Sequence, residues 1–269
     1  MVLVNYYLSE TISLLVQKIT GFDVGSTTAK IVVIEDGRLV KKKVSESRKW
    51  KELIKETEGK ICATGYFRKV VPNDISITEI SAAIEGVKHL FPKVECIVDI
   101  GGQDTKVIDV GSHDFILNDK CSAGTGAFLE FTAKYFDIPV SELGKLHFKS
   151  KKHVPINNTC GVFAISEMIS QLVAGYAIED VIAGMHDAFA KRIVDLVPDV
   201  KNVVLIGGTA KNDGLVDSLA KLLKVRNVKI NIPEDPQIVN ALGAAEYLRC
   251  RIEYARNEYA NKRKKRRRD

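Results

Sequence analysis

One short pattern occurs twice in this chain, 76 positions apart, and it restricts the possible folds more than any other feature. The first copy is Asp23-Val24-Gly25-Ser26-Thr27-Thr28-Ala29-Lys30 and the second is Asp99-Ile100-Gly101-Gly102-Gln103-Asp104-Thr105-Lys106. In each, a β-branched run feeds an Asp, a glycine-containing turn, a Lys and a second apolar run. A hairpin signal follows both: Ile31–Ile34 with a turn at Asp36-Gly37, and Val107–Val110 with a turn near Gly111-Ser112. Either copy alone reads equally well as an Asp-Gly connection between strands. Two aligned copies with the same hairpin behind them point to a duplicated nucleotide-binding unit.

Glycine lets backbone approach a phosphate, and successive N–H groups in a tight turn make an anion-binding concavity. Ser26, Thr27 and Thr28 add hydroxyl donors to Gly25 in the first copy; Gln103 and Thr105 add polar groups to Gly101 and Gly102 in the second. A strand-end Asp repels phosphate, so Asp23 and Asp99 suit Mg²⁺, held directly or through water. Lys30 and Lys106 can neutralise phosphate charge, and Gln103 or Asp104 can position an attacking water, with Asp99 beside the metal. A further apolar strand, Asn202–Ile206, ends at Gly207-Gly208, a close-approach turn suited to the adenosine end of a nucleotide. Two loops facing one another would clamp a di- or triphosphate.

The order of segments is that of an α/β chain. Strands are expected at Ile19–Val24, Lys60–Thr64, Val94–Ile100 and Asn202–Ile206. Helices are expected at Trp50–Glu58, Thr78–Phe91 (capped by Thr78 and stopped by Pro92), Gly124–Phe136, Gly161–Ala174, Ile178–Val197 and from near Gly214. The last strong helix begins at Asp235-Pro236 and carries Val239, Leu242, Ala245 and Leu248 on one face. This order fits two related halves around a central cleft, residues 19–93 with the 236–252 helix, and residues 94–235, flanked by an extension 1–18 and a tail 253–269.

The net charge of +6 comes from the tail. Of the 40 basic and 34 acidic residues, seven consecutive cations (Lys262–Arg268) and Asp269 end the chain, leaving 33 of each sign elsewhere. No evenly basic, nucleic-acid-binding surface is implied for the rest. The tail lacks apolar periodicity and is expected to be disordered and solvated. Met1–Thr20 is interrupted by polar residues and has neither the cationic start of a signal peptide nor the length of a membrane span. The five cysteines are widely spaced with no Cys-x-x-Cys, which argues against a disulfide framework and for a reducing cytoplasm.

Two of those cysteines stand apart. Cys121 lies in Asn118-Asp119-Lys120-Cys121-Ser122-Ala123-Gly124-Thr125-Gly126-Ala127-Phe128, and Cys160 in Asn157-Asn158-Thr159-Cys160-Gly161-Val162-Phe163, each before an expected helix. A thiolate at a helix N-terminus is favoured by the dipole and by unpaired N–H donors. Cys62, Cys96 and Cys250 lie within apolar patterns and read as small buried hydrophobes. Two thiolates are too few for a four-cysteine cluster. A two-fold dimer supplies four, for an iron–sulfur cluster or a mononuclear zinc alike, and two unrelated structural cysteines fit the sequence as well.

Asp23–Lys30, Asp99–Lys106, Asn118–Phe128, Thr159–Glu167 and Gly207-Gly208 together resemble the BadF/BadG/BcrA/BcrD ATPase family, and within it the activator components of 2-hydroxyacyl-CoA dehydratases. The resemblance runs from about Ile19 to Leu248. It implies duplicated RNase H-like halves of the actin/hexokinase/Hsp70 ATPase superfamily around a nucleotide cleft that binds ATP and Mg²⁺. It also implies a homodimer holding one 4Fe–4S cluster through Cys121 and Cys160 of each chain. Such activators accept an electron from ferredoxin or flavodoxin and, driven by ATP hydrolysis, pass it at low potential to a dehydratase- or reductase-like iron–sulfur protein. The chain departs from the family at Phe67, where relatives have a small residue, at Thr78–Ala83, which lacks a Cys-His pair, and in its basic tail. A small-molecule kinase of the same fold would need neither Cys121 nor Cys160, and a regulatory protein would act through the tail.

Overall fold

The computed structural model describes residues 18–119, 121–157 and 160–265. Expectations for the first 17 residues, Lys120, Thr159 and the end of the cationic run fall outside them.

The chain divides into two compact units, one of Phe91–Gln237 and the other of the residues up to Leu90 together with those from Ile238. In the latter, β1 (Lys18–Val24), β2 (Thr28–Glu35) and β3 (Arg38–Glu46) form an antiparallel meander. The turn between β2 and β3 is Asp36-Gly37, both with positive φ (50° and 76°), the backbone of a two-residue hairpin that keeps the strand twist. A short helix α1 (Trp50–Leu53), bracketed by 3₁₀ turns, replaces the longer expected helix; β4 (Lys60–Thr64), β5 (Ile75–Ser76) and α2 (Glu79–Leu90) follow. Thr78 caps α2, its hydroxyl accepting from the Ser81 N–H at 3.1 Å.

The second unit opens with β6 (Cys96–Ile100), β7 (Thr105–Asp109) and β8 (Phe115–Asn118), again an antiparallel meander. The Asp109 carboxylate accepts from Gly111 and Ser112 N–H, both at 2.8 Å, which closes the expected turn. Helices α3 (Gly126–Tyr135), α4 (Val140–Lys149), α5 (Gly161–Val173) and α6 (Ile178–Val194) precede β9 (Asn202–Ile206), α7 (Asp213–Val225) and β10 (Lys229–Asn231). Sequence patterning misses α4. The chain ends with α8 (Val239–Lys265) in the first unit.

The sheets have one topology, β3-β2-β1-β4-β5 and β8-β7-β6-β9-β10, with β1 and β6 central, a meander on one side and parallel strands on the other. In the first unit, Ile19, Val32, Ile34 and Cys62 face α2 and α8, while Phe22, Val24, Ile31, Ala63 and the flank of Trp50 form a core on the opposite face. Helix α8 sits close against the sheet: a Cβ on Gly21 would lie 1.7 Å from the Ala241 carbonyl oxygen. The second unit's core joins Val98, Ile100 and Leu205 to Leu143, Met168, Ile182, Met185 and Leu215 from α4 to α7. Cys62 and Cys96 are fully buried as expected, and burial pushes both thiols up to about 12.

Two expectations fail. Cys250 is exposed rather than buried, because it lies on the side of α8 away from Leu248 and Ile252, which pack on the core. Residues up to Lys265 are helical rather than disordered, supported by Arg249–Glu253 and Glu258–Lys262 ion pairs at 2.7 and 2.6 Å along the helix. Among the described residues, no helix is long and apolar enough to cross a membrane.

Candidate functional site

The 76-residue repeat reappears as repeated hydrogen bonding. Asp23 is registered opposite Lys30 on β1 and β2, and Asp99 opposite Lys106 on β6 and β7. The Gly25 N–H donates to Thr28 O at 3.0 Å, and the Gly101 N–H to Asp104 O at 2.9 Å. Each loop is thus closed by its first glycine amide, which is spent on the turn. The inner amides, Ser26 and Thr27 in one loop and Gly102 and Gln103 in the other, take no part in the closure. Ser26 and Gln103 are exposed, while Gly25, Thr27, Thr28, Gly101, Gly102 and Asp104 are half-buried.

Both strand-end carboxylates are buried, Asp23 and Asp99 each 4% exposed. Lys30 Nζ reaches Asp23 Oδ2 at 2.9 Å, and Lys106 Nζ reaches Asp104 Oδ2 at 2.8 Å. The second loop carries a carboxylate, Asp104, where the first has the hydroxyl of Thr28. One loop is therefore a hydroxyl-lined anion turn and the other a more acidic turn suited to a metal or a polarised water.

Beyond Gly207, which the sequence marks, three supports escape sequence reading: Gly65, Ser47 and Thr209. Gly65, after β4, and Gly207, after β9, occupy the same place in the two units, with φ of 88° and 95°. A Cβ on Gly65 would lie 2.5 Å from Asp23 Oδ1; one on Gly207 would lie 2.4 Å from Ile100 O and 2.8 Å from Asp99 Oδ1. Both backbones need glycine's left-handed freedom, and both carboxylates rest on bare glycine. Ser47 braces the first loop, its hydroxyl donating to Gly25 O at 2.6 Å and its N–H to Thr27 O at 3.0 Å. Thr209 contacts the second loop, its hydroxyl 3.4 Å from Gly101 O. A glycine ending a strand was available as a signal for Gly65. Nothing local marks Ser47 or Thr209.

In the second unit the structure brings Asp99, Gly101, Gly102, Gly207 and the Cys121 segment together. The N–H groups of Gly126 and Ala127, at the start of α3, donate to Gly101 O and Gly102 O at 2.9 and 2.7 Å, and the Thr105 hydroxyl donates to Gly124 O. A Cβ on Gly126 would lie 2.7 Å from Thr209 Oγ1, so the start of α3 is packed directly on the loop. Cys121 sits in the turn before α3, with Asn118 Nδ2 donating to its carbonyl at 3.3 Å; Thr125, rather than Cys121, is the N-cap residue. Cys160 is the N-cap residue of α5. The two segments touch: a Cβ on Gly161 would lie 3.1 Å from Ser122 Oγ and 3.2 Å from Phe128. Both cysteines are half-exposed. Among the described residues no three His, Cys, Asp or Glu side chains converge as a metal site, so one chain offers a cluster two thiols on adjoining segments. That donor set fits half of a four-thiolate site.

Compared with known families, residues 20–247 match the BadF/BadG/BcrA/BcrD ATPase family. The (R)-2-hydroxyglutaryl-CoA dehydratase activating ATPase of Acidaminococcus fermentans is 39% identical over 250 residues, 84% of this chain and 95% of that protein. The solved activator of the 2-hydroxyisocaproyl-CoA dehydratase from Clostridium difficile, with bound ADPNP, superposes with a TM-score of 0.81 at 37% identity, covering 90% of this chain and 98% of that one. The ethanolamine utilization protein EutJ from Carboxydothermus hydrogenoformans, at 14% identity and a TM-score of 0.56 over 86% of this chain and 90% of its own, shares the fold. On the strength of a match that spans most of its length, the chain belongs to the BadF/BadG/BcrA/BcrD ATPase family.

Proposed function

We propose that this protein hydrolyses ATP to drive one-electron reduction of a partner iron–sulfur enzyme acting on an acyl-CoA thioester, a 2-hydroxyacyl-CoA dehydratase or a benzoyl-CoA reductase-like protein. The observation that carries this reading is the pair of main-chain hydrogen bonds joining Gly126 and Ala127 to Gly101 and Gly102, since it ties a phosphate loop to a cysteine-bearing segment. A kinase of the same fold has no use for that link.

Ser26, Thr27 and Thr28, with the inner amides of both loops, bind phosphate oxygens. Asp23 and Asp99 would hold Mg²⁺, directly or through water, and Gly207 and Gly208 would face adenosine. Lys30 and Lys106 move from Asp23 and Asp104 toward phosphate charge, freeing Asp104, with Gln103, to orient the attacking water. Phosphoryl transfer asks for positioning and charge stabilisation rather than a protein nucleophile, which matches this residue set. Cys121 and Cys160 of two chains hold one 4Fe–4S cluster, which when bound supplies the one-electron carrier. A ferredoxin or flavodoxin is the donor, in a reducing cytoplasm. Because α3 begins on the loop, a change in the loop's nucleotide contacts moves the segment that carries Cys121, a two-state coupling within one unit.

Anaerobic purification with iron and sulfide analysis tests the assignment. About two irons and two sulfides per chain are expected, one four-iron cluster shared by two cysteine pairs. Cys121→Ala and Cys160→Ala should each lose both while still binding nucleotide. Full iron and sulfide content in either variant would sink the proposal.

A further inference from the structure

Every carbonyl of the turn from Cys121 to Gly124 is held by a donor from the same unit. Asn118, the last residue of β8, donates from Nδ2 to Cys121 O at 3.3 Å and to Ala123 O at 3.0 Å. Ser122 O accepts from the Thr125 N–H at 2.9 Å and the Thr125 hydroxyl at 2.8 Å, and Gly124 O accepts from the Thr105 hydroxyl. Carbonyls only accept, so the Asn118 amide turns its NH₂ to them, one hydrogen to each. A planar trans peptide sets its N–H opposite its C=O, and the described residues contain no cis bond. Drawing the Cys121 and Ala123 carbonyls toward Asn118 therefore sends the Ser122 and Gly124 N–H groups the other way. Among the described residues neither N–H meets an acceptor, although Gly124 is buried. A buried backbone donor without a partner is rare in a folded chain and calls for an acceptor supplied at that point.

We infer that Asn118 is a positioning residue for the Cys121 site: by holding two carbonyls it aims the Ser122 and Gly124 amides at the Cys121 sulfur. Amide donors favour a thiolate over a thiol, and hydrogen bonds to the sulfurs of an iron–sulfur centre stabilise the electron it accepts. The inference rests on the reading of Cys121 as a cluster ligand and deepens it. An Asn118 that only tied the turn would leave both the thiolate and the reduction potential as they are without it.

Two measurements on the full chain, made without oxygen, test it. In a Cys160→Ala, Cys250→Ala background, Cys121 is the one cysteine that is not buried. Adding Asn118→Ala should slow its alkylation by iodoacetamide at pH 7 by about threefold or more, and leave the rate at pH 10, where free thiols are mostly ionised, unchanged. Equal slowing at both pH values, or at neither, would overturn the inference. In the iron-loaded protein, electron paramagnetic resonance at one fixed solution potential gives the ratio of reduced to oxidised cluster. Asn118→Ala should lower that ratio about tenfold, about 59 mV for one electron. Thr105→Val loosens the same turn without touching the Cys121 or Ala123 carbonyl, and should leave the ratio near the native value. An equal fall in both variants, or none in Asn118→Ala, would reduce Asn118 to a tie of the turn. The alkylation measurement needs no iron, so its failure is distinct from a failure of the electron-transfer reading.

Discussion

Asp23 and Asp99 are held in place by an absent atom. Gly65 and Gly207 present no Cβ where one would meet the carboxylate, and both have a φ that L side chains resist. Gly207→Ala must therefore displace the Ile100 carbonyl and the Asp99 carboxylate as well as strain its own backbone, at a cost of about 2 kcal/mol or more. ATP hydrolysis is expected to fall by about one to two orders of magnitude, since each 1.4 kcal/mol lost from the transition state is about tenfold. Steady-state hydrolysis and urea midpoints for Gly65→Ala and Gly207→Ala check this. Wild-type rates in both would remove Asp23 and Asp99 from the metal site. The two Asp residues and their facing Lys residues were legible in the sequence because their geometry is local, a turn closed within four residues. Ser47 and Thr209 were not, because each reaches its loop through the tertiary fold, from 22 and 108 positions away.

Among elements, α4, α6 and α7 meet at a buried histidine. His186 of α6 has no hydrogen-bond partner at either ring nitrogen; the ring of His147 from α4 stands 5.2 Å away, and His147 Nε2 contacts Asp217 of α7 at 3.0 Å. Burial, with the nearby His147 and His153, lowers the His186 pKa to about 3. The unfolded chain protonates this side chain near its ordinary 6.5 and the folded chain does not. Its contribution to stability is thus complete above pH 6.5 and is lost as pH falls from there toward 3, at about 1.4 kcal/mol per pH unit. Urea midpoints at pH 7 and 5 should show this fall in the native chain, and His186→Leu should flatten it; an unchanged slope in that variant would assign the acid sensitivity elsewhere. The same region explains what sequence could not reveal about α4. Its Gly144 and His147 are poor helix formers, and Gly144 is placed where a Cβ would come within 3.4 Å of α7 backbone, so tertiary packing rather than propensity makes this helix. Reading α8 as ending near residue 252 fails for the opposite reason: its apolar face stops at Ile252, but Arg–Glu and Glu–Lys pairs one turn apart carry the helix onward.

Over the whole molecule, one unit is continuous in sequence and the other is completed only by the last helix. Gly243 of α8 packs so tightly on α2 that a Cβ would lie 1.8 Å from Ala82 O. Gly243→Val should destabilise the first unit by on the order of 3 kcal/mol. The single tryptophan, Trp50, belongs to that unit, so its emission should shift to lower urea while far-ultraviolet dichroism keeps a separate, unshifted transition from the other. Coincident, unshifted curves would show that α8 is not the keystone of its unit. The bonds from Gly126 and Ala127 back to Gly101 and Gly102 have a wider meaning. They make the intervening hairpin and thiol-bearing turn a closed lasso, tied at the Gly101-Gly102 loop. If that loop grips phosphate and that turn grips a cluster, fuel gauge and electrical terminal would share one strap, and slack in it would loosen both.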